Sequence, residues 1–477
     1  MWQPVLMISG YFISVLGVAM LFPAALDIFY TGAKWSNFIT SSLVAFFIGL
    51  SLFLSNRGRI TDISLRQAYL LTAISWFSVT LLAAVPFALY GTPFASALFE
   101  AASGISTTGA SIYADVEALP RSLLLWRSIL SGLGGIGIVI FAIAMLPFLG
   151  IGGMQIFQRE NSDINEKFMP KISYIAKRII IVYVILLLSC FFSLKMAGLD
   201  WFNALCHALS CIATSGFSTK NASVGAFHSA SIEWIITLFM FLGALPLTFY
   251  HSLLATRNIH SIRSTQVSAF VKVLAVYILT MTIWLTWNGV YDFGTALRQS
   301  AFNIVSIVTT TGFVSTDYLQ WGMFVTTAFV VFSLTGGCTG STSGSIKIFR
   351  WQVIWAQLKR ALITTLEPNR MSPLKVGSVP ISSEVASSVY ILFIAFGLSL
   401  ISLTLLISLF GYDFTMSFSA VVATMTNAGP GIVPAIGPAG NYGFFPDAVK
   451  YILAFAMLLG RLEVMTVLVI FTKNFWK

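Results

Sequence analysis

Four short stretches place threonine, serine or asparagine just before a glycine, within an otherwise apolar chain. They read STTGA (106–110), TSGF (214–217), TTGF (310–313) and NAGPG (427–431). Where the backbone is irregular, main-chain carbonyls can replace the hydration shell of a cation. Glycine permits the turn and the close backbone approach that such a site requires. The chemistry available to these residues is therefore cation coordination by carbonyl oxygens.

Each stretch closes a longer segment that opens with a helix-start signal. The four segments are 93–109, 200–216, 292–312 and 413–429. Three of them open with an aspartate suited to a helix N-cap, and the first opens with Pro93, suited to the first helical position. The third is longer than the others by about one helical turn. A single threonine–glycine pair favours a plain loop between helices, whereas four copies at matching spacing indicate one repeated motif.

The elements that must position these residues follow from the length of the segments. A helix of about three turns reaches only half-way through the ~30 Å of a bilayer's hydrocarbon core, so the chain must return as non-helical backbone. Such backbone is tolerated at membrane depth only when it is buried in protein or lines a water-filled cavity. The sequence therefore predicts four re-entrant loops around a common axis, with the negative C-terminal ends of four half-helices pointing towards it.

Composition places these loops in a polytopic membrane protein, because 57% of the residues are hydrophobic and only 9% are charged. The predicted fold class is an all-α polytopic membrane protein with a central pore. Ten candidate spans are predicted: 4–30, 36–54, 66–90, 122–149, 174–198, 230–255, 269–290, 321–350, 384–411 and 447–472. The predicted units are a two-span N-terminal extension and four span–half-helix–filter–span repeats: 1–65, 66–165, 166–265, 266–380 and 381–477.

The distribution of basic residues predicts the orientation of the chain. Most of the 27 lysines and arginines lie in alternate loops and at the C-terminus, which predicts that both termini are cytoplasmic. The residues predicted to lie on the inner face include Arg57, Lys171, Arg263 and Lys375. Those predicted to lie outside include Lys34, Lys220 and Arg298. The net charge of +10 is then explained by this topology and by contact with anionic membrane lipid, not by nucleic-acid binding.

The eighth candidate span contains a stretch that no stable lipid-facing helix would have. Residues 335–345, here called the glycine-rich loop, read TGGCTGSTSGS. A bent, locally unwound segment in the pore interior fits this composition, and Gly336, Gly337, Gly340 and Gly344 are its candidate gate residues. The alternative is that the small residues pack against a neighbouring span.

Arg461 lies within the last apolar span, where an arginine is costly and rarely faces lipid. It could bond to carbonyls of the glycine-rich loop and form a positive barrier to cations. The alternative is a structural ion pair with Glu100 or Glu463. Glu100 itself, on the first half-helix, could either raise the local concentration of cations or hydrogen-bond the filter backbone.

Other chemistry receives little support from the sequence. Cys190, Cys206, Cys211 and Cys338 lack paired metal-ligand spacing, which predicts buried thiols. A serine-rich GSTSG (340–344) raises an intramembrane enzyme as a remote alternative. No histidine is evidently placed as its general base, and His207 is predicted to be structural.

At these motifs and at four others, the sequence resembles the Trk/Ktr/HKT superfamily of potassium transporters. The four others are LGGIGI (133–138), LPFLGIGGMQ (146–155), GGCTGSTSGSIK (336–347) and LLGRLE (458–463). Within it, the bacterial TrkH-type membrane subunit is the most similar. Glycine at the key position of all four repeats implies potassium rather than sodium selectivity. The fourth stretch departs from the T-x-G pattern, which leaves its coordinating atoms open.

The resemblance implies a potassium uptake function in the bacterial inner membrane, with a gate below the filter and no covalently bound cofactor. A proton- or sodium-coupled symporter using the same pore is the alternative. A homodimer and a cytosolic nucleotide-binding regulatory subunit, TrkA-like, are implied as partners. The implied potassium-coordinating residues are Thr107, Thr108, Gly109, Thr214, Ser215, Gly216, Thr310, Thr311, Gly312, Asn427, Ala428 and Gly429.

Overall fold

The computed structural model describes the backbone of residues 2–30, 34–58, 63–145, 168–250, 265–370, 373–377 and 379–477. Arg263, the side chain of Lys171 and the predicted motif 146–155 lie outside the described residues. Within the described part, seven helices are long and apolar enough to cross a membrane, or eight if one bent pair is counted as a single span. The all-α polytopic fold class is therefore confirmed.

The described chain contains seven long helices together with shorter ones. The long helices are Trp2–Tyr30, Trp35–Ser55, Leu65–Ala83 continued by Val85–Leu89, Arg121–Met145, Phe168–Met196, Thr265–Trp287 and Ser383–Ser408. The shorter helices outside the repeated segments are Ala230–Gly243, Met323–Leu334, Ile348–Leu366, Asp447–Arg461, Val464–Leu468 and Lys473–Trp476. Lys375–Val376 pairs with Val379–Pro380 as a two-stranded antiparallel hairpin, in the register Lys375 with Pro380.

The four repeated segments form half-helices 1 to 4, in chain order. They are Phe94–Ile105, Trp201–Ile212, Phe293–Val308 and Phe414–Met425. The third has 16 residues and the others have 12, so the extra length of the third segment is one helical turn.

The N-termini of the half-helices follow the predicted cap chemistry with one correction. The carboxylates of Asp200, Asp292 and Asp413 each accept a backbone N–H of the first turn, as an N-cap should. Pro93 is the N-cap itself and the helix begins at Phe94, so the prediction that Pro93 occupies the first helical position is wrong by one residue. Proline has no N–H to lose at either position.

Three predicted spans are not continuous helices. The predicted span 230–255 ends as a helix at Gly243, close before Pro246, which cannot continue a helix. The predicted span 321–350 breaks at the glycine-rich loop. The predicted span 447–472 bends by 112° between Arg461 and Val464, where Glu463 has a φ of 65°.

The half-helices lie in the interior, and the long helices surround them. On the second long helix Phe47 is 74% exposed, and on Thr265–Trp287 Ile283 is 61% exposed, so large apolar side chains face outwards as they do in lipid. The four cysteines are buried and free, as the sequence predicted.

Candidate ion-coordination site

The three residues that end at each aligned glycine share one backbone conformation. They are called triplets 1 to 4 and comprise residues 107–109, 214–216, 310–312 and 427–429. The first residue of every triplet is left-handed, with φ of 55° at Thr107, 54° at Thr214, 57° at Thr310 and 57° at Asn427. The glycines have φ of 78°, 77°, 82° and 89° in the same order. Such values are uncommon for residues other than glycine, so their fourfold recurrence marks one repeated structure.

The triplets form a closed ring. A Cβ added at Gly109 would lie 1.8 Å from the carbonyl oxygen of Ser215, the middle residue of triplet 2. The same contact joins each later triplet to the next: Gly216 to Thr311 O at 2.1 Å, Gly312 to Ala428 O at 2.3 Å, and Gly429 to Thr108 O at 2.5 Å. The fourth triplet therefore contacts the first, and this contact closes the ring. Any side chain at these positions would collide with the neighbouring backbone.

The carbonyl oxygens of this ring are largely unoccupied. Thr107, Thr108 and the other non-glycine triplet residues are completely buried. Within the described chain, Gly429 is the only triplet residue whose carbonyl accepts a hydrogen bond, from Tyr442 Oη at 2.9 Å. Buried carbonyls are normally paired, so a ring of unpaired ones is a set of oxygens available to a cation or to ordered water.

The fourth triplet differs in its side chains. Asn427 Nδ2 donates to Thr108 Oγ1 at 2.9 Å and to Met457 O at 2.9 Å. The asparagine side chain therefore links triplet 4 to triplet 1 and to the helix Asp447–Arg461. The amide nitrogen is thus engaged in protein contacts, whereas Asn427 Oδ1 and the main-chain carbonyls of Asn427 and Ala428 have no partner in the described chain.

Glu100 forms hydrogen bonds to the segment that directly follows triplet 1. Its carboxylate accepts Ile112 N at 3.0 Å, Ser111 Oγ at 3.1 Å and Arg127 Nε at 2.7 Å. The side chains of Glu100 and Arg127 are 0% and 2% exposed. Of the two roles left open by the sequence, hydrogen bonding to the backbone is the one that the geometry shows. The alternative ion pair between Glu100 and Arg461 is wrong, because Arg127 occupies that carboxylate.

Each of the other half-helices also contacts the segment that follows its own triplet through a polar side chain, and the polar group differs from one half-helix to the next. His207 Nε2 lies 3.0 Å from Ser218 Oγ in the second repeat, which gives this histidine a structural contact. In the third, Asn303 Nδ2 donates to Ser315 Oγ at 2.8 Å. In the fourth, Ser419 Oγ accepts Ile432 N at 2.8 Å. The four outgoing chains are thus fixed by a carboxylate, an imidazole, an amide and a hydroxyl.

The glycine-rich loop is non-helical and lies against the C-terminal ends of three half-helices. Thr342 Oγ1 donates to Ile212 O at 2.9 Å, and Gly344 N donates to Thr310 Oγ1 at 2.6 Å. A Cβ added at Gly344 would lie 2.8 Å from Thr426 O. The loop therefore lies directly beneath triplets 2, 3 and 4, on the side opposite the starts of the half-helices.

The other candidate glycines hold the loop in shape. Gly336 N donates to Ile346 O at 2.6 Å, which closes the base of the loop. Gly340 O accepts Leu247 N at 3.0 Å, and a Cβ added at Gly337 would lie 3.0 Å from Ala244 O. The packing alternative is thus partly correct, because the loop also contacts the chain after Gly243, but it does so as irregular backbone.

Arg461 lies at the break of the last span and is 5% exposed. Within the described residues it forms no hydrogen bond to a carbonyl of the glycine-rich loop, and its Nε and Nη2 have no partner. The alternative pair with Glu463 is also wrong, because Glu463 Oε1 accepts from Arg350 Nη2. Arg461 and the loop instead line a common cavity of about 100 Å³.

Sequence reasoning missed Arg127 and Tyr442. Arg127 sits in an apolar span as Arg461 does, so the same cost of a charge in the membrane could have drawn attention to it. Tyr442 lies in a loop near Gly443, and nothing in its surroundings indicates that its hydroxyl contacts Gly429 O. Such a contact depends on tertiary folding alone.

Known proteins are similar in sequence to this chain over nearly its whole length. Residues 33–477 match the model of the TrkH family, described as cation transport proteins. The chain is 39% identical over 415 residues to the Trk system potassium uptake protein TrkI of Halomonas elongata, with 86% of this chain and 84% of that protein covered. It is 32% identical over 477 residues to the Trk system potassium uptake protein TrkH of Escherichia coli K12, with 98% of each covered.

A solved structure shares the fold. The crystal structure of the potassium transporter TrkH from Vibrio parahaemolyticus matches with a TM-score of 0.92 and 30% identity, and the match covers 100% of both chains. All four triplets and the glycine-rich loop lie inside the matched ranges. Because the family consists of transport proteins, the intramembrane enzyme is excluded. The chain therefore belongs to the TrkH family of cation transport proteins.

Proposed function

We propose that this chain is the potassium-translocating subunit of a bacterial Trk potassium uptake system. The observation that carries the proposal is the closed ring of four triplets, in which the glycine of each triplet lies against a carbonyl of the next. Within the described chain, all triplet carbonyl oxygens except that of Gly429 are unpaired. The names of the relatives in Halomonas elongata and Escherichia coli, both potassium uptake proteins, support potassium as the ion. Potassium is the substrate here and not a resident cofactor.

Coordination by the triplets accounts for selective passage. A potassium ion that enters the ring exchanges its water for carbonyl oxygens of the triplets, and the number and spacing of those oxygens favour one ion over another. The half-helices end beside the ring, so the negative ends of their dipoles stabilise a cation there. The contacts of Glu100, His207, Asn303 and Ser419 keep the outgoing chains, and with them the oxygens, in place.

A gate below the filter is the second part of the proposal. The glycine-rich loop contacts Ile212 and Thr310 at the ends of half-helices 2 and 3, so an ion that leaves the ring on this side meets the loop. Arg461 lines a cavity together with residues of the loop. A guanidinium in a poorly hydrated passage repels a cation more strongly than it would in bulk water, where the high dielectric screens it. Flux then requires the loop to move.

The location and partners of the chain follow as further parts of the proposal. We place it in the bacterial inner membrane with both termini cytoplasmic, as a homodimer bound to a cytosolic nucleotide-binding subunit. The helix Ile348–Leu366, directly after the loop, supports a protein partner. It exposes Trp355, Leu362 and Leu366 by 66%, 59% and 83%, next to the exposed Lys359 and Arg360. An exposed apolar surface of this kind is typical of an interaction site.

Flux through purified protein in liposomes tests the proposed function. With a potassium gradient and no gradient of any second ion, we expect potassium to cross and sodium to cross far more slowly. The variant Gly312→Ser should lose this discrimination, whereas Gly397→Ser, at a helix position with open space around it, should behave as the parent. Folded protein that passes no potassium would contradict the proposal. Flux that requires a proton or sodium gradient would identify a coupled symporter.

A further inference from the structure

The cavity of about 100 Å³ beneath the glycine-rich loop has an unusual charge. Its wall is formed by the loop, by the break after Arg461 and by parts of neighbouring spans. The charged residues that line it are Lys347, Arg350, Arg461 and Glu463. Within the described lining, Glu463 is the only acid. The cavity is therefore bordered by three cations and one anion.

The one acid of the described lining, Glu463, already pairs with an arginine. Glu463 Oε1 accepts from Arg350 Nη2, which forms a pair of opposite charges. Lys347 Nζ donates to Ser343 O, a neutral carbonyl of the loop. Arg461 Nε and Nη2 have no hydrogen-bond partner in the described chain, although the residue is only 5% exposed. Three cationic side chains and one anionic side chain thus leave an excess of two positive charges at the cavity.

Such an arrangement is costly unless something compensates it. Removing an ion from water costs several kcal/mol, and a buried charge without a partner keeps that cost in full. Unpaired N–H groups of a buried guanidinium are rare in folded proteins and normally indicate an ordered water or an ion. Water would satisfy the N–H groups of Arg461 but would leave both charges of the cavity uncompensated.

We propose that this cavity binds a small inorganic anion of the size of chloride, held between Arg461 and Lys347. A water molecule takes up about 30 Å³ in the liquid, so the cavity admits a small ion with one or two waters. A nucleotide or a lipid headgroup is too large for it. Arg461 Nε and Nη2 supply the donors on one side, and the Lys347 ammonium supplies the second charge.

The position of the two residues determines what the anion does. Lys347 lies at the end of the glycine-rich loop and is bonded to Ser343 within it, whereas Arg461 belongs to the last span. An anion between them ties the loop to that span. One monovalent anion against an excess of two positive charges leaves the cavity positive, so the barrier to cations remains. When the loop moves, the two cations separate and the site is lost, so the anion stabilises the state in which the loop stays beneath the triplets. This consequence for flux rests on the proposed function; the binding site itself does not.

Thermal unfolding of the purified protein in detergent tests the binding without transport. Gluconate, which is too large for the cavity, is replaced by chloride at constant potassium and constant ionic strength. We expect the Tm to rise with chloride and to saturate, because a ligand of the folded state stabilises it. Arg461→Gln and Lys347→Gln should each abolish the rise. Lys272→Gln is the matched control, since Lys272 is exposed and does not line the cavity.

The outcomes separate the two proposals. A Tm that is the same in chloride and gluconate, or a rise that persists in both cavity variants, overturns the anion site and leaves the cavity to water. If one variant fails to fold, the other still decides. Bromide in place of chloride should give a single anomalous scattering peak between Arg461 and Lys347, and a peak elsewhere also overturns the site. Chloride binding without any potassium flux would instead contradict the proposed function and leave the site intact.

Discussion

At the residue scale, the glycine of each triplet is required by the next triplet. The closest atom to a Cβ added at Gly109 belongs to Ser215, and the same relation holds around the ring. The sequence predicted that glycine would permit a turn and a close approach. It could not show that the approach is to the carbonyl of the neighbouring repeat, because residues so far apart in sequence meet only in the folded chain.

Replacing Gly109 by serine should reduce the discrimination between potassium and sodium. The added Cβ would lie 1.8 Å from Ser215 O, so the backbone of triplets 1 and 2 must separate and their oxygens must move. Reversal potentials in mixed potassium and sodium measure the effect. Gly137→Ser is the control, because within the described residues no atom beyond its own stretch of helix lies within 4 Å of a Cβ at that position. Unchanged selectivity in a well-expressed Gly109→Ser protein would remove Gly109 from the filter.

The buried pair of Glu100 and Arg127 gives a second prediction at this scale. Glu100→Gln keeps an acceptor for Ile112 N but removes the charge opposite Arg127, which is 2% exposed. Leaving a buried charge without its partner typically costs about 3–5 kcal/mol, so we expect a marked fall in thermal stability. The double variant Glu100→Gln with Arg127→Met should recover part of the loss. Equal stability of the single variant and the parent would show that the pair does not hold the chain after triplet 1.

At the element scale, the sequence was most informative where it repeats and least where a helix stops. The spacing of the four segments predicted the half-helices, including the extra turn of the third. The breaks at Gly243 and at Arg461 were not predicted, because the apolar composition continues past both residues. The only local signals there are Pro246 and the left-handed Glu463, and the second is visible only in the structure. Composition did locate the unwound loop at 335–345.

The loop and Arg461 should act on the same barrier. Deleting several residues within 336–344, or replacing Arg461 by alanine, should raise basal potassium flux and weaken its dependence on a regulatory partner. The two changes should be non-additive, because groups that border one cavity do not contribute independently. Flux through the single and double variants in liposomes is the measurement. If both single variants fold and conduct no faster than the parent, the gate lies elsewhere.

At the scale of the whole molecule, the charge bias predicts the orientation of the chain. In the structure Lys34 lies beside Tyr90, close to the start of half-helix 1, and Lys220 pairs with Glu117 at 2.8 Å. The glycine-rich loop lies at the opposite ends of the half-helices. Under the proposed function, potassium therefore enters the ring from the side that carries the predicted outside residues.

Cysteine labelling from each side of the membrane tests this orientation. Single cysteines at positions 34, 220 and 298 should react with an impermeant reagent added from outside, because Lys34, Lys220 and Arg298 are predicted to lie there. Cysteines at positions 57 and 375 should react only after the membrane is opened. Labelling at 57 or 375 in intact cells would reverse the topology and place the glycine-rich loop at the outer face.

The closure of the ring also limits when the protein can become functional during its synthesis. Asn427 in triplet 4 donates to Thr108 in triplet 1 across 319 residues of chain. Chains emerge from the ribosome with the N-terminus first, so triplet 1 is in the membrane long before its neighbour on that side exists. Until then its left-handed Thr107 and its unpaired carbonyls lack the contact that confines them. A chain that stops before residue 427 therefore inserts three of the four walls and leaves triplet 1 without the contact that closes the ring.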